Sequence, residues 1–453
     1  MLTPVNPTTG APLTPIPSLS SEQCSQAIDK AVAAFPSWRD TAIEERSAYL
    51  TKIATSLRDY KEDLALLMAE EMGKPYREGL GEVEKSATCA EYYAEHGAAF
   101  LSSETLESDA SLSYVCYQPL GTVLGILPWN APVWLALRFL APALMAGNTC
   151  VMKADPNVPA TAAKLTEAFE QAGLPKDVMV NLPIATAEVG EAIDHPGIKA
   201  VSFTGSSGAG KKVAARAAAS LKPAVLELGG SDPCIVLADA DLDKACDVIT
   251  LSRMINAGQS CIAAKRVIVE DSIYDTMCEK LYQRFSDLSL GDPTLDSAAL
   301  GPIARKDLQI KLQDQVTQTI QQGARCLCGG DVSSGDGFFY PPTLLVDVEP
   351  GMTAFTEETF GPVLSVIKAK DFAHALELAN DTEYGLGSSI WTSDESKAQQ
   401  AAVSLCAGQV AVNGIVKTDP RLPSGGVGLS GYGRELGPQG IREFVNVKQV
   451  WIA

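Results

Sequence analysis

Apolar positions along the first hundred residues recur at helical spacing, and beyond Gly121 they gather into short unbroken runs. The opening, to Pro17, is too rich in proline for either pattern and reads as an extended arm. Ser20-x-x-Gln23 is a capping-box pattern and predicts a helix over residues 21–35. Residues 43–72 place Leu50, Ile53, Ala54 and Leu57 on one face. This predicts a single long helix that stops at Gly73-Lys74-Pro75, where glycine ends it and proline prevents its continuation. A third helix is predicted over residues 77–100. Residues 111–118 alternate instead, as expected of a strand with one exposed or partner-covered face.

From Gly121 the runs GTVLGILP, TCVMK, VMVNL, KAVSF and AVLEL alternate with helical stretches at 133–146, 159–172, 188–193 and 208–220. Short apolar strands separated by helices predict an α/β fold with a doubly wound parallel sheet, whose ligands bind beyond the carboxyl ends of the strands. Asn130, Lys153, Gly205 and Glu227 all fall at such ends. Between residues 231 and 422 the runs CIVLA, KRVIVE, PVLSVIKA, SSIWT and QVAVN, with helices at 273–288 and 372–379, predict a second α/β unit. Residues 444–452 read as an edge strand that invites pairing with another subunit. The expected division is a dinucleotide-binding domain (1–103 and 120–229), a catalytic domain (230–424) and a small β oligomerisation flap (104–119 and 425–453).

At 453 residues, 46% of them apolar, the chain is long enough for two or three cores. A net charge of −19 argues against nucleic acid and anionic membranes as partners. The N-terminus lacks a basic segment followed by an apolar core, and the longest apolar run is broken by Arg138 and Pro142. Eleven cysteines form no disulfide framework, and Cys326-Leu327-Cys328 has no second pair to complete a metal site. Reduced thiols, a cytoplasmic location and no metal are therefore expected.

Chemistry concentrates in NAGQSCIAAKR at 256–266, where Cys261 stands among small residues that let the backbone turn and a substrate approach. An isolated thiol is more often a buried core residue. Glu227, 34 positions earlier, ends AVLEL just before two glycines. Flanked by Leu226 and Leu228, it is partly desolvated, which suits a general base; the alternative is an acid held in a strand-end ion pair. None of the three histidines stands in a site-like stretch, so a Cys-His pair is not expected. The loop FTGSSGAGKK, with Gly205, Ser206, Gly208 and Gly210, opens a helix whose free amides can face a phosphate, although it matches neither GxGxxG nor a P-loop.

These pieces together resemble the aldehyde dehydrogenase superfamily over nearly the whole chain. PWN at 128–130, FTGS at 203–206, LELGG at 226–230, GQSC at 258–261, EETFGP at 357–362 and SGYGRELG at 430–437 stand in the family's order and spacing. SDPCIVL after LELGG, with SCIAAKR, is similar to the succinate-semialdehyde dehydrogenase branch. The resemblance implies that Cys261 attacks the aldehyde carbon and that Asn130 and the Cys261 amide hold the oxyanion. Glu227 would then activate the hydrolytic water. It implies NADP or NAD as cofactor, with contacts from Trp129, Lys153, Gly205, Ser206, Gly210, Leu228, Glu358 and Phe360. Pro156 stands where the family often has a ribose-binding glutamate, which favours NADP slightly, and Lys211 and Lys212 are further phosphate candidates. In the semialdehyde branch, an arginine at the position of Arg138 grips the substrate carboxylate. Trp134 and Ser424 are expected beside it, with a core ion pair as the alternative for Arg138. A small-molecule aldehyde is the expected substrate and a homodimer or homotetramer the expected assembly. Gly428, where the family commonly has lysine, and Ser424, where an aromatic is usual, depart from the pattern. A CoA-acylating relative would not need Glu227, and a non-enzymatic protein would need none of Cys261, Asn130, Glu227 and Glu358.

Overall fold

A computed structural model describes residues 1–295 and 298–453. The apolar runs of the first half form five parallel strands, Thr122–Leu127, Thr149–Ala154, Met179–Asn181, Ile198–Thr204 and Ala224–Glu227. Numbered along the chain, they lie side by side as 5-4-1-2-3. The direction of winding reverses between the first and fourth strands, so the loops leaving them part and open a crevice at their carboxyl ends.

The helix Pro132–Met145 packs on this sheet, and every one of its residues is buried. Apolar side chains all round the helix account for that, with Arg138 its one charged residue. Close approach to the strand depends on Gly125, where a Cβ would come within 2.5 Å of the Phe139 ring. The helix start is capped from the helix Tyr76–Phe100. Glu82 Oε1 accepts from the amides of Val133 (2.9 Å) and Trp134 (3.1 Å), and Oε2 pairs with buried Lys74. Two amides without intrahelical partners are thereby satisfied, and the turn carrying Asn130 is held against the sheet.

The second half builds a seven-stranded sheet. Its parallel strands are Pro233–Val236, Arg266–Glu270, Thr343–Val346, Val363–Ala369, Gly387–Trp391 and Gln409–Val412, with Arg325–Cys328 antiparallel at one edge. Five of these match the runs read from the sequence, and Arg325–Cys328 and Thr343–Val346 are additional. A third sheet joins Glu104–Thr105, Leu112–Pro119 and Val445–Ile452, the last pairing antiparallel along the whole of Leu112–Pro119. Val447, Trp451 and Ile452 on its edge strand are exposed. Among the described residues, no helix is long and apolar enough to cross a membrane.

Three expectations are corrected. The helix expected over 43–72 is two helices, Ile43–Asp59 and Lys61–Met72, parted where Tyr60 leaves helical geometry (φ −92°, ψ 9°). Residues 425–453 do not all belong to the flap, since Gly431–Tyr432 pairs with Ala224–Glu227 and extends the first sheet. The N-terminal arm reaches the second half, because the Phe338 amide donates to Pro7 O at 2.8 Å.

Candidate active site

The thiol segment follows the helix Leu242–Met254, and three successive left-handed residues turn it back on itself: Asn256 (φ 54°), Ala257 (φ 52°) and Gly258 (φ 74°). Asparagine and alanine pay conformational energy there, and surrounding contacts must hold them. The Asn256 amide donates to Glu78 Oε2 at 2.7 Å, and its Nδ2 donates to Asn130 O at 2.9 Å. Gln259 locks the far side of the turn, donating to Asn256 O at 3.1 Å and accepting from the Ala304 amide at 2.9 Å. Gly258 admits no side chain, since a Cβ would lie 2.2 Å from Gly361 O. Lys265, buried, donates to Cys261 O (2.5 Å) and Ser260 O (3.1 Å), fixing the nucleophile's backbone from below.

Cys261, Asn130 and Glu227 meet on the wall of one cavity of about 1020 Å³. Asn130 spends one Nδ2 hydrogen on Gln259 O at 3.1 Å, which leaves the other for an oxyanion. Burial pushes the Cys261 thiol up to about 11, against the opposing pull of Lys265 and Arg138. The resting nucleophile is therefore the thiol, and it needs a base to ionise it. Glu227 stands on the same cavity wall. Burial, helped by the charge of Glu435, pushes its carboxyl up to about 7, while Arg138 pulls the other way. Its Oε1 is buried without a hydrogen-bond partner, beside Gly425, where any Cβ would crowd it at 2.7 Å.

Arg138 is placed differently from the expectation. Its guanidinium is buried, donating to Glu227 Oε2 at 3.0 Å and pairing with Glu435. Burial disfavours its charge, but Glu435 and Glu227 outweigh that and hold it above the ordinary arginine range. Glu227, at the end of its strand, and Glu435 both pair with the cation, which is the core ion pair that the sequence reading kept as the alternative. Ser424 is buried; its backbone exchanges hydrogen bonds with Glu435 (2.7 and 2.8 Å), and its hydroxyl accepts from Gln409 Nε2 at 3.4 Å. Trp134 is buried under the Lys85 ammonium, which lies 4.1 Å from its ring centroid. None of these three lines the large cavity.

Trp129, Lys153, Gly205, Ser206, Leu228, Glu358 and Phe360 all line it. Trp129 and Phe360 meet edge to face at 5.9 Å. Glu358 Oε1 accepts from the Gly230 amide at 3.1 Å, and bare Gly229 leaves room for that carboxylate, since a Cβ would sit 2.1 Å from its Oε2. Gly210 stands behind the wall, packed against Leu228, where a Cβ would lie 2.5 Å away. Pro156 also lies outside the wall, and its neighbour Asp155 takes that place. Lys212 lines the cavity and Lys211 does not. Sequence reasoning missed Arg305 and Lys311 in the wall, neither of which stands in a recognisable motif. It also assigned no role to Glu435, although the segment SGYGRELG was singled out.

The buried ion triad makes a test that a substrate-facing arginine would fail. Arg138→Met should lower unfolding free energy by about 3–5 kcal/mol, because Glu227 and Glu435 lose their counter-charge while still buried. The loss should grow as pH rises through about 7, where Glu227 ionises; below that the protonated carboxyl needs no cation. Chemical denaturation across pH measures this, and a change within about 0.5 kcal/mol would remove Arg138 from any structural role.

Comparison with known proteins gives the family. The model of the aldehyde dehydrogenase family matches residues 2–450. An Escherichia coli K12 protein named succinate semialdehyde dehydrogenase, NAD(P)+, is 44% identical over 447 residues, covering 99% of this chain and 97% of that one. A Synechocystis protein named probable succinate-semialdehyde dehydrogenase, NADP(+), is 43% identical over 449 residues, covering 99% of each. The crystal structure of succinic semialdehyde dehydrogenase from Streptococcus pyogenes with NADP+ superposes at a TM-score of 0.97, with 33% identity and 100% of both chains covered. The chain belongs to the aldehyde dehydrogenase family.

Proposed function

We propose that this chain oxidises succinic semialdehyde to succinate, with NADP+ preferred and NAD+ accepted. The observation that carries the reading is the meeting of Cys261, Asn130 and Glu227 on one cavity wall. The names of the E. coli, Synechocystis and S. pyogenes relatives support the substrate and the cofactor.

The residues present fit a dinucleotide. The helix Ser207–Ala219 presents its amino end to the cavity through Ser206, and bare Gly229 keeps the floor open beside Glu358. Lys153, Lys212, Arg305 and Lys311 line the same wall, with Asp155 the acid among them, and this cationic set suits a 2′-phosphate. Lys153 is buried and its ammonium is pushed down by that burial, with Asp155 opposing. When bound, the nicotinamide supplies a hydride acceptor.

Each remaining step falls to the chain's own groups. Water takes the Cys261 proton and passes it to solvent, and Sγ bonds to the aldehyde carbon. The carbonyl oxygen becomes an oxyanion, received by the free Nδ2 hydrogen of Asn130 and the Cys261 amide; one such donor lowers the barrier by about 3 kcal/mol. After oxidation the acyl group remains on Sγ as a thioester. Glu227 then takes a proton from water, the water oxygen attacks the acyl carbon, and the C–S bond breaks to release the acid and the thiolate. A base pushed up to about 7 is deprotonated above that pH, so hydrolysis gains as pH rises through it.

Steady-state kcat/KM for succinic semialdehyde and butanal, each with NADP+ and NAD+, tests this reading. The semialdehyde should exceed butanal by about tenfold or more, as a charge-assisted contact to its carboxylate requires, and NADP+ should exceed NAD+. Equal values for the two aldehydes would sink the substrate assignment.

The same proposal includes self-association through the exposed apolar side of the Val445–Ile452 strand. Light scattering should give a multiple of the chain mass, reduced by Val447→Glu with Trp451→Glu. A single-chain mass for the wild type would overturn it.

A further inference from the structure

Lys265 stands directly before the strand Arg266–Glu270, and its backbone is anchored on both sides in the second sheet. The amide donates to Asp232 O at 3.0 Å, and the carbonyl accepts from the Ser365 amide at 3.1 Å. From that fixed point the side chain folds back beneath the thiol segment, where it is 1% exposed. An ammonium has three hydrogens to place. Two go to Cys261 O and Ser260 O, and the nitrogen also stands 3.4 Å from Glu358 Oε1. That same carboxylate oxygen accepts from the Gly230 amide, just beyond the strand that ends in Glu227.

We infer that Lys265 is a positioning residue that joins the Cys261 segment to Glu358 through one ammonium, and that thiolate formation at Cys261 depends on this cation. The inference rests on the reading of Cys261 as the nucleophile and adds the group that favours its anion. Holding two carbonyls needs only a neutral donor, whereas a buried cation carries a heavy desolvation cost. The charge is therefore not explained by the hydrogen bonds to Cys261 and Ser260 alone. Other cations nearby are engaged elsewhere. Arg253 donates to Gly258 O and Ala264 O, and Arg266 donates to Ser231 O, Leu378 O and Ala379 O. Arg138 is paired with Glu227 and Glu435.

The electrostatics run the same way. Burial pushes the Cys261 thiol up to about 11; Lys265 leads the groups that oppose this, ahead of Arg138, while Glu227 and Glu358 add to it. Asp232, fully buried, is pushed up to about 7 by that burial, against the pull of Lys265 first. A positive charge beside the thiol favours thiolate, so removing it must move the thiol further up. Removing the Glu358 charge must move it down. A lysine that only braced the loop would give neither change.

The experiment alkylates the full chain with iodoacetamide during brief pH jumps from about pH 7 to about pH 12, without dinucleotide, and follows the Cys261 peptide by mass spectrometry. Plateau height reports access of the reagent, and the midpoint reports the charge around the thiol. Lys265→Met and Lys265→Gln should both raise the midpoint, lowering the rate at about pH 9 by about tenfold. Glu358→Gln should lower the midpoint and raise that rate by about threefold. Thermal unfolding identifies the variants that fold. A midpoint that stays in place in a folded lysine variant overturns the assignment; if neither folds, a Glu358→Gln midpoint that does not fall overturns it. Turnover of succinic semialdehyde with NADP+ is assayed on the same samples. Its loss in step with alkylation of Cys261 supports the nucleophile reading, and turnover that survives complete alkylation overturns that reading whatever the midpoints show.

Discussion

Burying a guanidinium in a helix that is apolar on every side is the constraint around which this site is built. Arg138 is buried where an unpaired charge would cost several kcal/mol, so its helix position is tenable only with carboxylates brought to it. The fold brings two, from the end of the strand Ala224–Glu227 and from Glu435 beyond the short strand Gly431–Tyr432. The pair is reciprocal. One carboxylate of the triad is the residue that must stay basic enough to take a proton, and it retains an oxygen without a hydrogen-bond partner. Burial, with the charge of Glu435 added to it, pushes the Glu227 carboxyl up to about 7 against the pull of Arg138, which is the condition general-base work at neutral pH requires.

The nucleophile is positioned by a different device. Left-handed backbone at Asn256 and Ala257 would relax if left alone, and it is held by groups from three separate parts of the chain: Glu78, Asn130 and Ala304. The same asparagine that offers its amide to the oxyanion thus accepts through its carbonyl from the turn that presents the thiol. Thiol and oxyanion donor are thereby fixed relative to one another through Asn256 and Gln259.

Much of this was legible in the sequence because it is local. Short apolar runs gave the five parallel strands of the first sheet and five strands of the second, and Asn130, Lys153, Gly205 and Glu227 at the ends of the first set line the cavity. Cys261, Glu227 and Asn130 were found by motif, and the comparisons place the chain in the family to which those motifs pointed. What escaped was long-range or unmarked. The sequence reading kept a core ion pair as the alternative for Arg138, but nothing in VWLALRFLAP names Glu227 and Glu435 as its partners. No glycine or proline marks the break at Tyr60, and the left-handed turn falls on Asn256 and Ala257, ahead of the glycine that sequence reasoning would have chosen. Pro156 and Gly210 were assigned to the cofactor site through the family resemblance and lie outside the cavity wall, while Leu228 and Lys212, also named from the sequence, line it.

The central claim is that an acyl group rests on Cys261 and that Glu227 removes it. Mass spectrometry of the Cys261 peptide, from Glu227→Gln quenched in acid after mixing with succinic semialdehyde and NADP+, tests it most directly. The account predicts a succinyl group on that thiol in near-stoichiometric amount, while the wild type shows little. An unmodified Cys261 in the variant, while reduced dinucleotide accumulates, would contradict it.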